Sequence, residues 1–217
     1  MEKEVPQSHF MGRIPEYAVL IHTFDGYAFA WDGFVQGWKD SRMDFLNAGI
    51  PVYWGSDVKS PNNPPFTPIY SGKGEWSDRL KLLLKIIPSH TIFYMQEDHW
   101  PKKGIYLDFF YQIFRNLNLK RLQISPVNQY YSLYGGELPL FFHEKAKSKY
   151  LIAHNPSFWD KSFLISVLKN GQSPWQHEYE ATCKLWECPQ SIRKKIAIYP
   201  CDWYHHAVEN GKLTQVK

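Results

Sequence analysis

The sequence has few cysteines and no long apolar run. Its 217 residues include three cysteines, and Cys183, Cys188 and Cys201 form neither a CxxC pair nor a spacing typical of zinc ligands. They are interpreted as small buried residues of a protein in a reducing compartment. No apolar run approaches the roughly 20 residues that a membrane-spanning helix needs, and residues 1–6 do not resemble a signal peptide. We therefore expect a soluble, cytoplasmic protein without a transmembrane segment, which contacts a membrane only peripherally if its substrate is lipid-linked.

Several motifs of nucleotide-binding and hydrolytic enzymes are absent. There is no GxGxxG and no GxxxxGK[ST], which argues against a dinucleotide-binding domain and a P-loop. There is no GxSxG elbow and no HExxH helix. The 25 basic and 21 acidic residues are dispersed and leave a net charge of +4. Such a mild, unclustered charge predicts no nucleic-acid partner.

Aromatic residues, in contrast, are abundant. The chain has 9 Trp, 14 Tyr and 14 Phe, which together make up 17% of it. Many must lie in the core, but so many flat rings also suit a protein that stacks against sugars or bases. Length and an ordinary hydrophobic fraction of 44% fit one soluble domain. We expect a single domain over residues 1–217, with residues 1–14 as a flexible segment.

The first half of the chain alternates strand and helix patterns. Tyr17–Thr23 is a short apolar run typical of a buried strand, and Asp25 is suited to cap a helix that continues to about Asn47. Residues 50–54 predict a second strand, and a helix begins at Trp76. Residues 56–74, rich in proline and glycine, predict a long loop. Alternation of this kind favours βαβ units and a mainly parallel sheet.

The second half continues the same alternation less regularly. Residues 151–159 predict a strand that leads into a helix capped by Asn155 or Ser157. Pro174 suits the first position of another helix. The remaining expected elements are a helix near 104–116, strands at 119–125, 138–142 and 196–199, a loop at 130–136, and a hairpin or strand at 207–213.

The most informative segment is Gln96-Glu97-Asp98-His99-Trp100-Pro101, which follows the apolar strand pattern of residues 92–95. Ligands of open α/β sheets bind at the carboxyl ends of strands. Adjacent carboxylates there are able to hold a divalent cation, although an acidic turn explains them equally well. We expect Pro101 to end regular structure. The adjacent pair His205-His206 is interpreted as strand or surface residues rather than a metal site.

Polar and aromatic residues form three clusters, each at a predicted junction of strand and helix. They are residues 23–27, residues 76–79 together with 96–100, and residues 155–159 together with 173–178. Each residue alone has a structural explanation: Asp25 as a cap, Arg79 as a solvated helix residue, and Glu178 as a first-turn carboxylate. Three clusters that all lie at such junctions favour a functional role over three separate structural explanations.

The order of these clusters resembles a group of small nucleotide-sugar glycosyltransferases with the GT-A fold, found in bacterial surface-polysaccharide loci and in large algal viruses. The likeness lies in Thr-Phe-Asp-Gly-Tyr after the first strand, Trp-Ser-x-Arg-Leu at a helix start, an acidic strand end in place of Asp-x-Asp, Pro-Ser-Phe-Trp, and a later Trp-x-x-Glu. It covers roughly residues 15–213. The resemblance implies one GT-A-like (Rossmann-like) α/β domain with a mainly parallel central sheet flanked by helices.

The resemblance also implies a reaction and a donor site. A sugar would pass from a UDP- or dTDP-sugar to a hydroxyl of a glycan or lipid-linked glycan. Thr23 and Asp25 would lie beside the base or ribose, and Arg79 would pair with the diphosphate. Glu97 and Asp98 would bind Mn²⁺ or Mg²⁺, or contact the ribose.

For the acceptor half, the resemblance makes Trp159 and Trp175 platforms for sugar faces. Glu178 would be the carboxylate near the acceptor hydroxyl, with His177 as an alternative base. Whether configuration is inverted or retained stays open. Two other functions also stay open: a metal-dependent phosphoesterase using Glu97, Asp98 and His99, and a non-catalytic carbohydrate-binding module.

Overall fold

The structure is a computed structural model, which describes residues 14–62, 64–126, 132–133, 139–142, 151–209 and 211–214. The expected flexible segment at residues 1–14 lies outside these residues except for Ile14. The expected loop at 130–136 also lies outside them except for a two-residue strand at Ser132–Leu133.

Strands and helices alternate regularly in the first half of the chain and less regularly in the second half. The strands are β1 Tyr17–His22, β2 Val52–Ser56, β3 Thr67–Tyr70, β4 Thr91–Gln96, β5 His99–Pro101, β6 Arg121–Ser125, β7 Ser132–Leu133, β8 Phe141–Phe142, β9 Ser157–Asp160, β10 Ile196–Pro200, β11 Tyr204–His206, β12 Val208–Glu209 and β13 Lys212–Leu213. The helices are α1 Trp31–Asp40, α2 Met43–Leu46, α3 Trp76–Ile86, α4 Leu107–Asn116, α5 Lys161–Val167, α6 Pro174–Glu187 and α7 Gln190–Arg193, with a 3-10 helix at Asp25–Ala30.

The central sheet has the order β3-β2-β1-β4-β9-β6-β10-β8-β7. Strands β3, β2, β1 and β4 pair in parallel, and so do β6 and β10. Strand β9 lies between these two groups and is antiparallel to both β4 and β6. The predicted α/β fold with a mainly parallel sheet is confirmed.

Both faces of the sheet are covered by helices. All six residues of β1 are buried, as expected for a central parallel strand with an unbroken apolar run. Because side chains alternate along a strand, Val19 and Ile21 pack with α1 and α4, whereas Ala18 and Leu20 pack with α3, α5 and α6. The result is a three-layer α/β/α domain.

The segment after β1 differs from the single helix that we expected. It consists of the 3-10 helix, α1 and α2, and Arg42 breaks the path between the last two with a left-handed φ of 58°. The residue that precedes the 3-10 helix is Phe24, and no side chain caps it. The capping role expected for Asp25 is therefore incorrect. On α1, Gly33 permits the indole of Trp100 to lie against the helix backbone, where a Cβ would collide with it.

Two further strands differ from the expectation. The predicted loop at 56–74 contains β3, an edge strand that tolerates Pro68 because an edge strand leaves some N–H positions unpaired. Residues 151–156 are not a strand; β9 begins at Ser157. The following helix is capped by Asp160, whose carboxylate accepts a hydrogen bond from the Phe163 N–H at 2.9 Å, rather than by Asn155 or Ser157.

Several expected boundaries are confirmed. Helix α3 begins at Trp76, and α6 begins at Pro174 after a capping box formed by Ser173 and Gln176. The closing hairpin is present as β12 and β13. Strand β5, which pairs with β11, ends at Pro101 as expected. Within the described residues, no helix combines the length and the apolar character needed to cross a bilayer.

Candidate functional site

A cavity of about 810 Å³ opens at the carboxyl ends of β1 and β4. Its walls come from the loop after β1, the turn after β4, the starts of α3 and α6, and the chain from β11 to β13. This is the edge at which open α/β sheets bind ligands. The three clusters identified in the sequence all contribute to it.

Arg79 lies at the base of this cavity and is only 6% exposed. Its Nη1 donates to Asp57 Oδ1 at 2.6 Å and to the carbonyl oxygen of Thr23 at 2.8 Å. This burial excludes the alternative that Arg79 is a solvated helix residue. Asp57 was missed by sequence reasoning, although its position directly after β2 places it at the same edge of the sheet.

Asp25 joins two loops. Its Oδ1 is 3.3 Å from the backbone nitrogens of both Val58 and Lys59, which donate to it, and its own N–H donates to Asp57 Oδ2 at 3.4 Å. The loops after β1 and β2 are thus held together by reciprocal carboxylate–amide bonds. Asp25 does not line the cavity; its contacts instead hold together two loops, the first of which lines it.

Thr23 follows β1 directly and lines the cavity. It is 3% exposed, and its Oγ1 accepts a hydrogen bond from Trp31 Nε1 at 2.8 Å. Its orientation is therefore fixed by the first turn of α1.

The acidic strand end carries two carboxylates in different environments. Glu97 is 5% exposed, and its pKa is raised well above the ordinary value, first by burial and then by the neighbouring Asp98 carboxylate. Asp98 is less buried, with a side chain 17% exposed. Glu97 is consequently the carboxyl group for which the structure favours the protonated form.

Asp98 faces two imidazoles. Its Oδ1 lies 3.2 Å from His99 Nδ1, and its Oδ2 lies 3.6 Å from His206 Nε2. The β5–β11 pairing sets His206 directly opposite His99. The interpretation of His205-His206 as strand residues is confirmed, but His206 also joins Asp98 and His99 in a group whose ligand-capable atoms lie within 4.8 Å of one another. Glu97 is not in this group.

His99 is neutral, and its Nδ1 is a hydrogen-bond acceptor. Its Nδ1 accepts the Gln96 N–H at 3.3 Å, so that nitrogen carries a lone pair. Burial lowers the pKa of His99 to about 4, which keeps the ring neutral. Asp98 Oδ1 is buried and has no hydrogen-bond partner among the described residues. An unpartnered carboxylate oxygen beside the rings of His99 and His206 is donor chemistry that suits a divalent transition metal, while the His99 Nδ1 lone pair itself is directed at the Gln96 N–H.

His22 and His154 also line the cavity, and each contacts a further buried polar side chain. His22 Nδ1 lies 3.2 Å from the Tyr94 hydroxyl, and both groups are buried. His154 Nε2 lies 2.8 Å from His177 Nδ1. Burial lowers the pKa of His22 and of His154 well below the ordinary value, so that both rings are neutral at pH 7.

His177 does not reach the cavity. It is 0% exposed and lies behind His154, which does line the cavity. Burial lowers the pKa of His177 to about 4. This placement corrects the expectation that His177 stands near an acceptor hydroxyl, because it has no direct contact with the open space.

Glu178 lies on the wall that α6 contributes. It is half-buried, and one oxygen accepts the His154 backbone N–H at 2.7 Å. Burial raises the pKa of Glu178, although that hydrogen bond opposes the rise. Such a carboxylate is a stronger base than an exposed one.

The two tryptophans expected to contact sugars have opposite environments. Trp175 is 74% exposed at the mouth of the cavity. Trp159 is 0% exposed in the core, with the Arg121 guanidinium 5.1 Å from its ring centroid. The expectation for Trp159 is therefore corrected, since a fully buried indole has no free face for a sugar.

No protein-family model and no curated protein sequence matches the chain. Several solved structures do match it in fold. TarS of S. aureus matches with a TM-score of 0.57 at 11% identity over 87% of this chain. The 1–349 portion of TarS in complex with UDP matches with a TM-score of 0.52 at 12% identity, also over 87%. CMP:2-keto-3-deoxy-manno-octonic acid synthetase complexed with CTP matches with a TM-score of 0.50 at 10% identity, covering 91% of this chain and 93% of that one.

The chain shares its fold with these structures, which include complexes with UDP and with CTP. At identities of 10–12% the likeness shows the fold alone, and the resemblance to a group of nucleotide-sugar glycosyltransferases stays a prediction. The matched region is part of a longer protein in TarS: the chain spans 36% of the whole TarS chain and 59% of its 1–349 portion.

Proposed function

We propose that this protein is a glycosyltransferase that moves a sugar from a nucleotide diphosphate sugar to a hydroxyl of a glycan or lipid-linked glycan. One observation carries the proposal: the Asp98–His99–His206 group and the separate carboxylate Glu178 line the same cavity. The first suits the phosphates of a donor, and the second suits the hydroxyl of an acceptor.

The charges around the cavity support a metal-dependent donor site. The only guanidinium or ammonium group among its described lining residues is that of Arg79, and Asp57 already pairs with it. The same cavity is lined by the carboxylates of Glu75, Asp98, Glu178 and Glu209, besides Glu97, for which the protonated form is favoured. A diphosphate would be repelled by this wall without a divalent cation to bridge the charges.

Asp98, His99 and His206 would hold that cation. Two imidazole nitrogens and one carboxylate oxygen suit Mn²⁺ better than Mg²⁺, which prefers oxygen ligands. When bound, the ion would neutralise the departing nucleotide diphosphate. Thr23 and Arg79 would orient the nucleotide from the adjoining wall, and Asp25 and Asp57 would hold that wall in place.

Glu178 would accept the proton of the attacking hydroxyl. Its half-buried position raises its basicity, and the His154 N–H fixes the direction of one oxygen. The exposed ring of Trp175 would carry the apolar face of a sugar at the mouth of the cavity.

A thermal-shift panel tests this function. UDP, UDP-GlcNAc, a dTDP-sugar and CTP are each added with and without Mn²⁺. We expect stabilisation by a uridine or thymidine nucleotide only with the metal, of about 2.7 kcal/mol at a hundred times the dissociation constant. The absence of any shift across the panel contradicts the proposal.

Nucleotidyl transfer from CTP is a second candidate. It is favoured by the match to the CTP-complexed synthetase, of which the chain covers 93%. In the same panel, a shift with CTP that exceeds those with the nucleotide sugars, together with pyrophosphate release, would support this candidate instead.

A further inference from the structure

Helix α6 presents a second exposed aromatic ring beyond the cavity. Tyr179 is 63% exposed and lies four residues after Trp175. Residues at this spacing share one face of a helix, separated by about 6 Å along its axis. The opposite face of α6 is buried through Ala181 and Leu185. The two exposed rings thus form a line along α6, of which Trp175 lines the cavity and Tyr179 lies outside the lining.

Polar groups border this line where it enters the cavity. Glu178 is one of them, fixed by the His154 backbone N–H. His154 itself is 3% exposed and lines the cavity, and its Nδ1 has no hydrogen-bond partner among the described residues. An unsatisfied buried polar atom of this kind is costly unless a ligand or water satisfies it. Aromatic faces beside such groups are typical of carbohydrate sites.

The charge around the line restricts its ligand. Glu75 at the start of α3 and Glu209 in the β12–β13 hairpin are exposed and line the same cavity as Glu178. No lysine, and no arginine except the paired Arg79, lines the cavity among the described residues. Away from the cation proposed at Asp98, His99 and His206, a phosphate or carboxylate on the ligand would meet repulsion from these carboxylates.

We propose that Trp175 and Tyr179 form an acceptor subsite for an uncharged glycan chain, with one sugar on each ring. This rests on the proposed glycosyltransferase function and adds the acceptor class. The subsite selects chains of at least two sugars, and it excludes chains that carry an acid group next to the accepting sugar.

Saturation-transfer NMR and calorimetry on the protein loaded with UDP and Mn²⁺ test this subsite. The probes are the neutral tetrasaccharides maltotetraose, cellotetraose and chitotetraose, and the acidic tetragalacturonate. We expect at least one neutral probe to bind and tetragalacturonate not to bind. Trp175→Ala and Tyr179→Ala should each raise the Kd of the neutral probe by about 3- to 10-fold, as expected for the loss of one stacked ring.

Tyr106→Ala is the matched control, because Tyr106 is also exposed (61%) but does not line the cavity. It should leave the Kd of the probe unchanged. The double variant Glu75→Gln/Glu209→Gln should allow tetragalacturonate to bind.

The UDP shift measured on the same samples separates the two proposals. If UDP does not bind, the glycosyltransferase function fails and the subsite fails with it. If UDP binds, the subsite alone is overturned by any of three results: no neutral probe binds, tetragalacturonate binds as tightly as a neutral probe, or Tyr179→Ala leaves the Kd unchanged.

Discussion

The guanidinium of Arg79 lies 2.6 Å from the carboxylate of Asp57, and the two side chains are only 7% and 13% exposed. This ion pair joins the start of α3 to the loop after β2. Through the carbonyl of Thr23, the same guanidinium also holds the loop after β1. Three segments that line or support the cavity therefore depend on one buried pair.

Asp57→Asn should destabilise the protein markedly. Removing one partner leaves the Arg79 charge buried without compensation, which typically costs about 3–5 kcal/mol. Urea denaturation followed by circular dichroism measures the change. Asp202→Asn is the matched control, because Asp202 pairs with Lys102 at the same 2.6 Å on the surface. Equal effects of the two substitutions would contradict the structural role of the Arg79–Asp57 pair.

Asp98→Asn should abolish the Mn²⁺ dependence of nucleotide binding and leave the fold intact, because an amide oxygen is a much weaker metal ligand. Glu97→Gln should retain that dependence, since Glu97 is outside the Asp98–His99–His206 group and its pKa is already raised. Calorimetric titration with UDP, with and without Mn²⁺, measures both. If Glu97→Gln lost the Mn²⁺ dependence and Asp98→Asn retained it, the metal would be assigned to Glu97 instead.

Glu178→Gln should lower the transfer rate by at least about 10²-fold with near-normal UDP binding, as expected on loss of a general base. Because burial raises the pKa of Glu178, the wild-type rate should increase with pH through a midpoint above 4.5, the ordinary glutamate value. Glu180→Gln, on the same helix but outside the cavity lining, should behave as wild type. Loss of UDP binding in Glu178→Gln would place this residue in the donor half.

The buried histidines should make the protein sensitive to acid. The pKa of His22, His154 and His177 is lowered on folding, so the unfolded chain binds more protons as pH falls below about 6.5. Stability should therefore decline from about pH 6.5 toward pH 4, by up to about 1.4 kcal/mol per pH unit for each such ring. Urea midpoints across this range should show a shallower slope for His177→Gln than for the exposed His90→Gln. Parallel slopes would contradict the role of the buried ring.

Trp159→Ala and Trp175→Ala make the same chemical change in opposite environments. The first empties a core position and should cost about 3–5 kcal/mol. The second removes a ring that is 74% exposed and should leave stability nearly unchanged. Thermal and urea unfolding of the two variants measures the difference. A stable Trp159→Ala protein would be inconsistent with the core position of this indole.

The sequence predicted those parts of the fold that short segments determine. The apolar run of β1, the Ser173–Pro174 start of α6 and the strand before Glu97 all have local signals, and each is in place. Strand β3 was missed because prolines argue against a strand except at a sheet edge, and edge position is a property of the whole sheet.

Contacts between residues that are distant in sequence account for the remaining differences between the predictions and the structure. Trp159 was expected to contact a sugar because of the resemblance to glycosyltransferases, but β9 lies in the middle of the sheet and is covered on both faces. His206 reaches Asp98 only through the pairing of β5 with β11, which no local pattern reveals. Asp57 was overlooked within a segment read only as loop.

The position of β9 also sets the order in which the molecule is completed. A chain synthesised only as far as residue 126 has β4 and β6 but lacks the strand that belongs between them. Each of these strands then exposes an unpaired hydrogen-bonding edge, the kind of surface on which proteins aggregate. Since such long-range pairing is slow to form, the emerging polypeptide depends on residues 157–160 to close the middle of its own sheet, and it is most vulnerable just before they are synthesised.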